Sequence, residues 1–178
     1  MFFCSETAFL RAEGALRGWN MGGTAQELYE QGVTLSFTER GVSGVGKYLS
    51  DNTSTPEDYT SPVESSRLSY QVQTEITVAW EESAPFEEKL ERIITQKWIA
   101  NFPLGFEAWS DYRRTGYPEI FPVVDNLSNG VISTSRQQRR LPFPLKEKQA
   151  NSENVKAAVS MLGGSDTGAT DLWWAKKN

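Results

Sequence analysis

Apolar residues recur at helical spacing in five stretches of the chain. These stretches cover residues 5–18, 24–41, 84–101, 104–114 and 152–162. Apolar positions three and four residues apart fall on one face of an α-helix, so each stretch predicts an amphipathic helix. The strongest pattern lies in 84–101, where a polar face carries Lys89, Arg92 and Gln96. The predicted apolar face of that helix consists of Phe86, Leu90, Ile93, Ile94 and Trp98.

The ends of the predicted helices carry recognisable signals. Thr24 and Glu27 have the spacing of a capping box, in which each side chain accepts a hydrogen bond from the backbone N–H of the other residue. Ser5 and Ser83 are the predicted N-caps of two other helices. Glycines, which can end a helix in the left-handed conformation, stand at Gly18, Gly41, Gly116 and Gly163. Helices joined by short turns pack in antiparallel pairs, so the chain predicts an all-α fold of paired helices with long loops.

The remaining segments lack a helical pattern, apart from residues 43–50, which predict one more short helix. Residues 51–67 and 117–151 are rich in polar residues and proline and predict loops. Residues 70–80 alternate apolar and polar side chains, which predicts a strand or an extended segment. The sequence offers no obvious partner strand, so we expect at most a minor β component.

Composition narrows the chemistry that the chain can carry out. The 178 residues contain no histidine and one cysteine, and the net charge is −5. These counts exclude imidazole catalysis, imidazole metal ligands, an internal disulfide and a thiolate metal cluster. The acidic balance argues against nucleic acid as a partner, and no apolar run approaches the ~18 residues of a membrane-spanning helix. Residues 1–178 therefore predict one domain, or part of one, with no catalytic residue, metal site or cofactor.

Two acidic side chains on one predicted helix allow an alternative with chemistry. Glu107 and Asp111 lie four residues apart, and paired carboxylates can hydrolyse glycosidic bonds. Salt bridges are the favoured interpretation, since arginines stand nearby in the sequence or in a second cluster. The expected partners are Arg113, Arg114, Arg139 and Arg140.

Two further polar clusters favour structural interpretations over ligand sites. The acidic residues of the 51–67 loop could collect calcium, but they lack the alternating spacing of a calcium loop. They are Asp51, Glu57, Asp58 and Glu64. The segment from Gly163 to Asp166 resembles a phosphate-binding turn only weakly, because it follows a helix instead of opening one.

Several aromatic residues are candidates for stacking on sugar rings, whose C–H faces are apolar. The candidates are Trp19, Tyr48, Tyr59, Tyr70 and Tyr117. For any one of them, packing in the core or against a loop is the favoured interpretation. Trp173 and Trp174 stand close to the C-terminus, and we expect them to dock the tail onto the body of the domain.

One long motif resembles a known family. Residues 93–118, with the sequence IITQKWIANFPLGFEAWSDYRRTGYP, resemble the SusD/RagB family of nutrient-binding lipoproteins of the Bacteroidetes outer membrane. Further segments agree with the family's helices and closing motif. They are residues 9–19, 29–33, 139–144, 163–166 and 172–174.

The resemblance implies a fold, a partner and a location. It implies tetratricopeptide-like helix pairs, a lipid-anchored position at the cell surface, and partnership with a TonB-dependent, SusC-like transporter to which glycans or other nutrients are passed unchanged. It covers only the C-terminal part of the family, and the signal peptide and lipidated cysteine of the family are not matched. Three residues precede Cys4, so we favour a helix residue over a lipid attachment site there.

Ligand contacts differ among family members, so the resemblance identifies no ligand-binding residue and leaves the nutrient open. The matched Trp98, Trp109, Arg113 and Arg114 are expected to hold helix pairs and the following loop together. The sequence thus favours a non-catalytic binding module for oligosaccharides or other nutrients. The alternative is a structural piece that packs on an N-terminal part and the transporter, without a ligand site of its own.

Overall fold

The chain folds entirely into helices and loops. The computed structural model describes residues 3–175, without the side chains of residues 65 and 66. Within that range no β-strand occurs, and β-bridges are confined to single residues, among them Ser133 and Gln137, which bridge each other. The α-helices are α1 (Cys4–Leu16), α2 (Ala25–Arg40), α3 (Val45–Leu49), α4 (Ser65–Leu68), α5 (Phe86–Ala100), α6 (Gly105–Thr115), α7 (Leu145–Ala150) and α8 (Ser152–Leu162). A 3₁₀ turn follows at Trp173–Ala175. The all-α prediction is confirmed, and all five strong helical patterns form helices.

Two compact units make up the described chain. The first contains residues 3–59, 71–112 and 116–119, and the second contains residues 60–70, 113–115 and 120–175. The two predicted loops each contain one helix that their polar composition concealed, α4 in residues 51–67 and α7 in residues 117–151. Within residues 3–175, no helix combines the length and the apolar character that crossing a membrane requires.

The capping box forms as predicted, but two predicted serine caps do not. The N–H of Glu27 donates to Thr24 Oγ1 at 3.1 Å, and the N–H of Thr24 donates to Glu27 Oε2 at 2.8 Å. Ser5 and Ser83 are wrong as N-caps, because α1 begins after Phe3 and α5 begins after Pro85. Ser5 instead lies buried inside α1 and donates its hydroxyl to Glu39 Oε2 at 2.6 Å, while Ser83 donates to Glu81.

The core of the first unit forms where α1 crosses α2 at close range. Phe9 packs against Gly32, and a Cβ at that glycine would lie 2.8 Å from the phenyl ring. The small residues Ala8 and Ala12 are buried on the same helix, as their spacing predicted. Tyr29 completes this contact with its ring centroid 6.2 Å from that of Phe9. The absence of a side chain at position 32 therefore sets how closely the two helices approach.

Residues 71–80, which we call the covering segment, lie across the helices of the first unit. The hydroxyl of Tyr29 donates to Val78 O at 2.7 Å, and Arg92 Nε donates to Thr77 O at 2.9 Å. Of the two predicted alternatives, a strand or an extended segment, the strand is wrong, because residues 71–80 form no strand and side chains of helices satisfy these carbonyls. The apolar alternation arises because one side of the segment packs on helices, with Ile76 buried.

The predicted faces of α5 are wrong at three positions, and the covering segment is part of the reason. Arg92, placed on the polar face by its sequence pattern, is 1% exposed, whereas Phe86 and Trp98 of the predicted apolar face are substantially exposed. The guanidinium group is buried because it reaches Thr77 O and pairs with Glu88 at 3.2 Å. A charged side chain is tolerated there because its Nε and Nη2 atoms find acceptors, whereas its Nη1 has none among the described residues.

In the second unit, Arg113 and Arg139 join separate segments. Arg113 donates to Arg139 O at 3.1 Å, and Arg139 donates in return to Arg113 O. Arg139 also pairs with Asp171 at 2.7 Å, and the Arg113 guanidinium lies 4.7 Å from the centre of the Trp174 ring. The tail is docked through Trp174 as expected, but Trp173 is 84% exposed.

Asp166 forms a second junction in this unit. Its carboxylate accepts hydrogen bonds from Arg140 at 2.5 Å and from the N–H of Phe143 at 3.1 Å, and it pairs with Lys148 at 2.7 Å. Burial raises the pKa of Asp166, but the bonds from these donors outweigh it and lower the pKa to about 2. The segment from Gly163 to Asp166 is a turn, as favoured from the sequence, and the ion-pair junction at its end was not predicted.

Candidate functional site

A pocket opens at the end of α2 in the first unit. It has a volume of about 570 Å³ and lies between the last turns of α2, the short helix α3 and the loop that follows it. Its lining combines two aromatic rings with small and charged polar residues. The lining residues are Phe37, Ser43, Gly44, Lys47, Tyr48, Ser50, Asp51, Asn52 and Thr53.

Glycines shape the turn that forms one side of this pocket. Gly41 ends α2 with a φ of 65°, and Gly44 precedes α3 with a φ of 92°. Both values lie in the left-handed region that favours glycine. The turn is closed by a hydrogen bond from Val42 N–H to Phe37 O at 2.9 Å. It brings α3 back toward α2, so that Tyr48 faces the last turns of α2.

Phe37 and Tyr48 form the apolar side of the pocket. Their ring centroids lie 5.2 Å apart at an interplanar angle of 45°. The Tyr48 hydroxyl donates to Gln96 Oε1 on α5 at 3.0 Å, and Gln96 is buried. This bond fixes the orientation of the tyrosine ring, since the amide that accepts it belongs to the core.

The loop after α3 supplies ordered polar groups. Asp51 Oδ1 accepts hydrogen bonds from Thr53 N–H at 3.1 Å, from the Thr53 hydroxyl at 3.1 Å and from Ser54 N–H at 2.9 Å. These bonds, led by that from Ser54 N–H, hold the pKa of Asp51 well below its usual range, so the carboxylate is ionised at neutral pH. Lys47 and Asn52, which also line the pocket, make no side-chain hydrogen bond or ion pair to the residues that the structure describes.

The carboxylates considered for glycoside hydrolysis occupy different environments. Glu107 is exposed, whereas Asp111 is buried and pairs with Lys97 at 2.6 Å. Lys97 also lies 3.5 Å from Glu6 Oε1, which accepts a hydrogen bond from Asn101 at 3.2 Å. Asp111 therefore has an ion-pair partner on α5, Lys97, in addition to any of the arginines predicted from the sequence.

Of the four acidic residues considered for calcium, three make separate local bonds, and the fourth, Glu57, is exposed. Asp51 caps the loop after α3, Asp58 accepts from Val72 N–H at 2.9 Å, and Glu64 pairs with Arg67 at 2.6 Å. Among the residues that the structure describes, no three acidic or cysteine side chains gather as metal ligands.

The five aromatic residues considered for stacking on sugar rings differ in their contacts and exposure. Tyr48 lines the pocket, and the Tyr70 ring packs 5.1 Å from that of Phe121. Tyr117 donates to Glu87 at 3.1 Å, and burial together with this carboxylate raises the pKa of Tyr117 to about 12. The remaining two candidates, both exposed, are Trp19 and Tyr59. Of these candidates, Tyr48 lines the pocket at the end of α2.

A second surface feature of the first unit is apolar. Four large apolar side chains are exposed where α5 ends and α6 begins, and we call them the apolar corner. They are Trp98, Ile99, Phe102 and Phe106. Phe102 is 74% exposed and Phe106 is 82% exposed. Trp98, expected to hold a helix pair, therefore contributes only part of its ring to packing.

Comparison with known proteins identifies relatives over the whole chain. Residues 1–175 match the SusD-like family, described as Susd and RagB outer membrane lipoproteins. A chitin-binding SusD homolog from Flavobacterium johnsoniae is 55% identical, with a TM-score of 0.89 over 98% of this chain. A SusD-like protein from Bacteroides thetaiotaomicron is 52% identical with a TM-score of 0.89 over 98% of this chain, and a SusD homolog from Bacteroides uniformis is 52% identical with a TM-score of 0.90 over 97%.

The match covers only part of these relatives. This chain spans 36% of the length of each of the three solved structures. A comparison with curated proteins gives no match.

Proposed function

This chain belongs to the SusD-like family of outer membrane lipoproteins, and we propose that it binds a glycan, without changing it chemically, as part of a SusCD-type uptake system. Proteins of this family are binding lipoproteins and not catalysts. The transporter partner in this proposal is a TonB-dependent, SusC-like barrel.

The observation that carries the proposal is the 55% identity to a chitin-binding homolog over 98% of the chain. The match extends through both units, since it covers 98% of the chain. Chito-oligosaccharides are therefore the first ligands to test. Binding would use aromatic faces for the C–H surfaces of the sugar and polar side chains for its hydroxyl and amide groups.

Calorimetric titration tests this function with the 178-residue protein. The titrants are chitotriose and chitohexaose, with maltotriose as a sugar of different linkage and substituents. We expect saturable heat with at least one of these glycans and no change in its length on prolonged incubation. Shortened sugars in the mixture would contradict a pure binder, and the absence of binding to all three would contradict the proposal for this chain.

The apolar corner favours a second candidate, in which this chain packs on further SusD-like sequence. Exposed aromatic groups of this kind typically mark an interaction surface. The solved relatives are nearly three times as long as the matched region, which leaves roughly two-thirds of their residues as possible contacts.

Co-expression tests whether this chain packs on further SusD-like sequence. The tagged chain is produced together with the part of the Flavobacterium johnsoniae homolog that lies outside the matched third. Co-purification that is lost in the Phe102→Ser/Phe106→Ser double variant would support packing through the apolar corner. Leu127→Ser is the matched control, since Leu127 is 90% exposed elsewhere in the chain. Co-purification that survives the double variant would exclude this surface.

A further inference from the structure

The pocket at the end of α2 has the composition of a sugar-binding site. We propose that it binds one neutral pyranose residue of a glycan, with Tyr48 as the stacking surface and with Lys47, Asp51 and Asn52 as hydrogen-bonding groups. This inference rests on the proposed function. It adds where on the chain the glycan binds and that the bound sugar residue carries no charge.

The apolar side of the pocket suits the face of a sugar ring. Phe37 and Tyr48, both partly buried, contribute a tilted pair of rings, with centroids 5.2 Å apart, to the lining of the pocket. The axial C–H groups of a pyranose are apolar and pack on such aromatic surfaces. The volume of about 570 Å³ lies in the range of roughly 300–1,000 Å³ in which small-molecule sites are found.

The polar side of the pocket suits a neutral ligand. Lys47 and Asp51 bring one positive and one negative charge to the lining, and these are its only charged side chains. Their formal charges cancel, so neither an anion nor a cation is favoured over a neutral molecule. The ammonium donates, the carboxylate accepts and the Asn52 amide does both, which matches hydroxyl and acetamido groups.

These groups are ordered before any ligand arrives. Three hydrogen bonds hold Asp51 Oδ1, so Oδ2 has a fixed direction. The backbone O of Asp51 accepts from Ala79 N–H of the covering segment at 2.9 Å, which ties the loop to the core. Tyr48 is fixed through Gln96 at 3.0 Å. Ordering these groups in advance reduces the entropy that binding must overcome.

Titration of pocket variants tests the assignment. Lys47→Ala and Asn52→Ala remove exposed side chains that have no partners within the described chain, so both variants should fold normally. We expect each to weaken chitotriose binding by about five-fold or more, which corresponds to the loss of one hydrogen bond. The matched controls Lys146→Ala and Gln31→Ala remove an exposed lysine and an exposed amide outside the pocket, and they should leave the Kd unchanged.

A ring variant provides an independent readout. Tyr48→Leu should weaken binding by at least ten-fold because it removes the stacking surface, whereas Trp19→Leu, which removes an exposed indole outside the pocket, should not. Circular dichroism of Tyr48→Leu verifies that the helices remain. If the wild-type chain binds chitotriose and the pocket variants bind equally well, the pocket assignment is wrong and the proposed function stands. If the wild-type chain binds none of the glycans tested, both are contradicted.

Discussion

Replacement of Lys97 by methionine should be among the most destabilising single changes in the first unit. Lys97 is 2% exposed and lies between two buried carboxylates, with Nζ at 2.6 Å from Asp111 and at 3.5 Å from Glu6. Methionine fills a similar volume but carries no charge. The variant would therefore remove the positive charge that lies between the two buried carboxylates.

The size of the effect follows from the burial of all three groups. Removing one partner of a buried ion pair typically costs about 3–5 kcal/mol, because the remaining charge has lost its solvation and its counterion. Stabilities of small proteins are about 5–15 kcal/mol, so the loss is a large fraction of the total. With a urea dependence of about 2 kcal/mol per M, the unfolding midpoint should fall by about 2 M.

Urea unfolding followed by circular dichroism and tryptophan fluorescence measures this loss. Lys47→Met is the matched control, because Lys47 is exposed and has no ion pair in the described chain, and its effect should stay within about 0.5 kcal/mol. The double variant Lys97→Met/Asp111→Asn should be more stable than the sum of the single losses predicts, by about 1 kcal/mol or more. A loss below about 1 kcal/mol for Lys97→Met, or strict additivity in the cycle, would refute the reasoning.

Three further predictions follow from other contacts. Gly32→Ala should cost about 1–3 kcal/mol and lower the Tm by roughly 5 °C, since its Cβ would lie 2.8 Å from the Phe9 ring, whereas Gly105→Ala, with no atom within 4 Å, should leave the Tm unchanged within error. Tyr29→Phe should cost about 1–3 kcal/mol in urea unfolding, because it leaves a carbonyl of the covering segment unsatisfied; a neutral result would contradict that role. The pKa of Asp166 falls from its ordinary value of 3.8 to about 2 on folding, so its contribution is complete above pH ~4 and is lost as the pH falls through ~2. Asp166→Asn should therefore be less stable than wild type at pH 6, with a difference that narrows towards pH 2; a difference independent of pH would contradict this.

The helices could be predicted from sequence because their signals are local. The capping box at Thr24 and the left-handed glycines at Gly41 and Gly116 depend on residues within one turn, and each formed as expected. The N-cap predictions at Ser5 and Ser83 failed because a hydroxyl near a helix start is common and its partner is chosen by tertiary contacts. Ser5 found that partner in Glu39, 34 residues away.

The buried charges could not be predicted because helical periodicity sorts residues by polarity and not by partner. The helical pattern places Arg92 on a polar face and assigns no role to Lys97. In the structure each side chain is buried and donates to an acceptor from another segment. The same limit applies to the pocket. Tyr48 was a stacking candidate and Asp51 was a calcium candidate, but their juxtaposition depends on the turn between α2 and α3 and on a hydrogen bond from Tyr48 to Gln96 on α5.

The distribution of charged side chains in the first unit bears on the difference between binding and catalysis. Acid–base chemistry needs a titratable group that faces a substrate, with its pKa tuned by its surroundings. Asp111 and Lys97 are buried against each other, where they support the fold. Lys47 and Asp51 instead line a pocket, but Asp51 stays ionised because the backbone holds its pKa low, so it offers a fixed acceptor and not a proton. A pocket lined in this way offers fixed hydrogen-bonding groups without a proton to transfer, which agrees with the binding role that we propose.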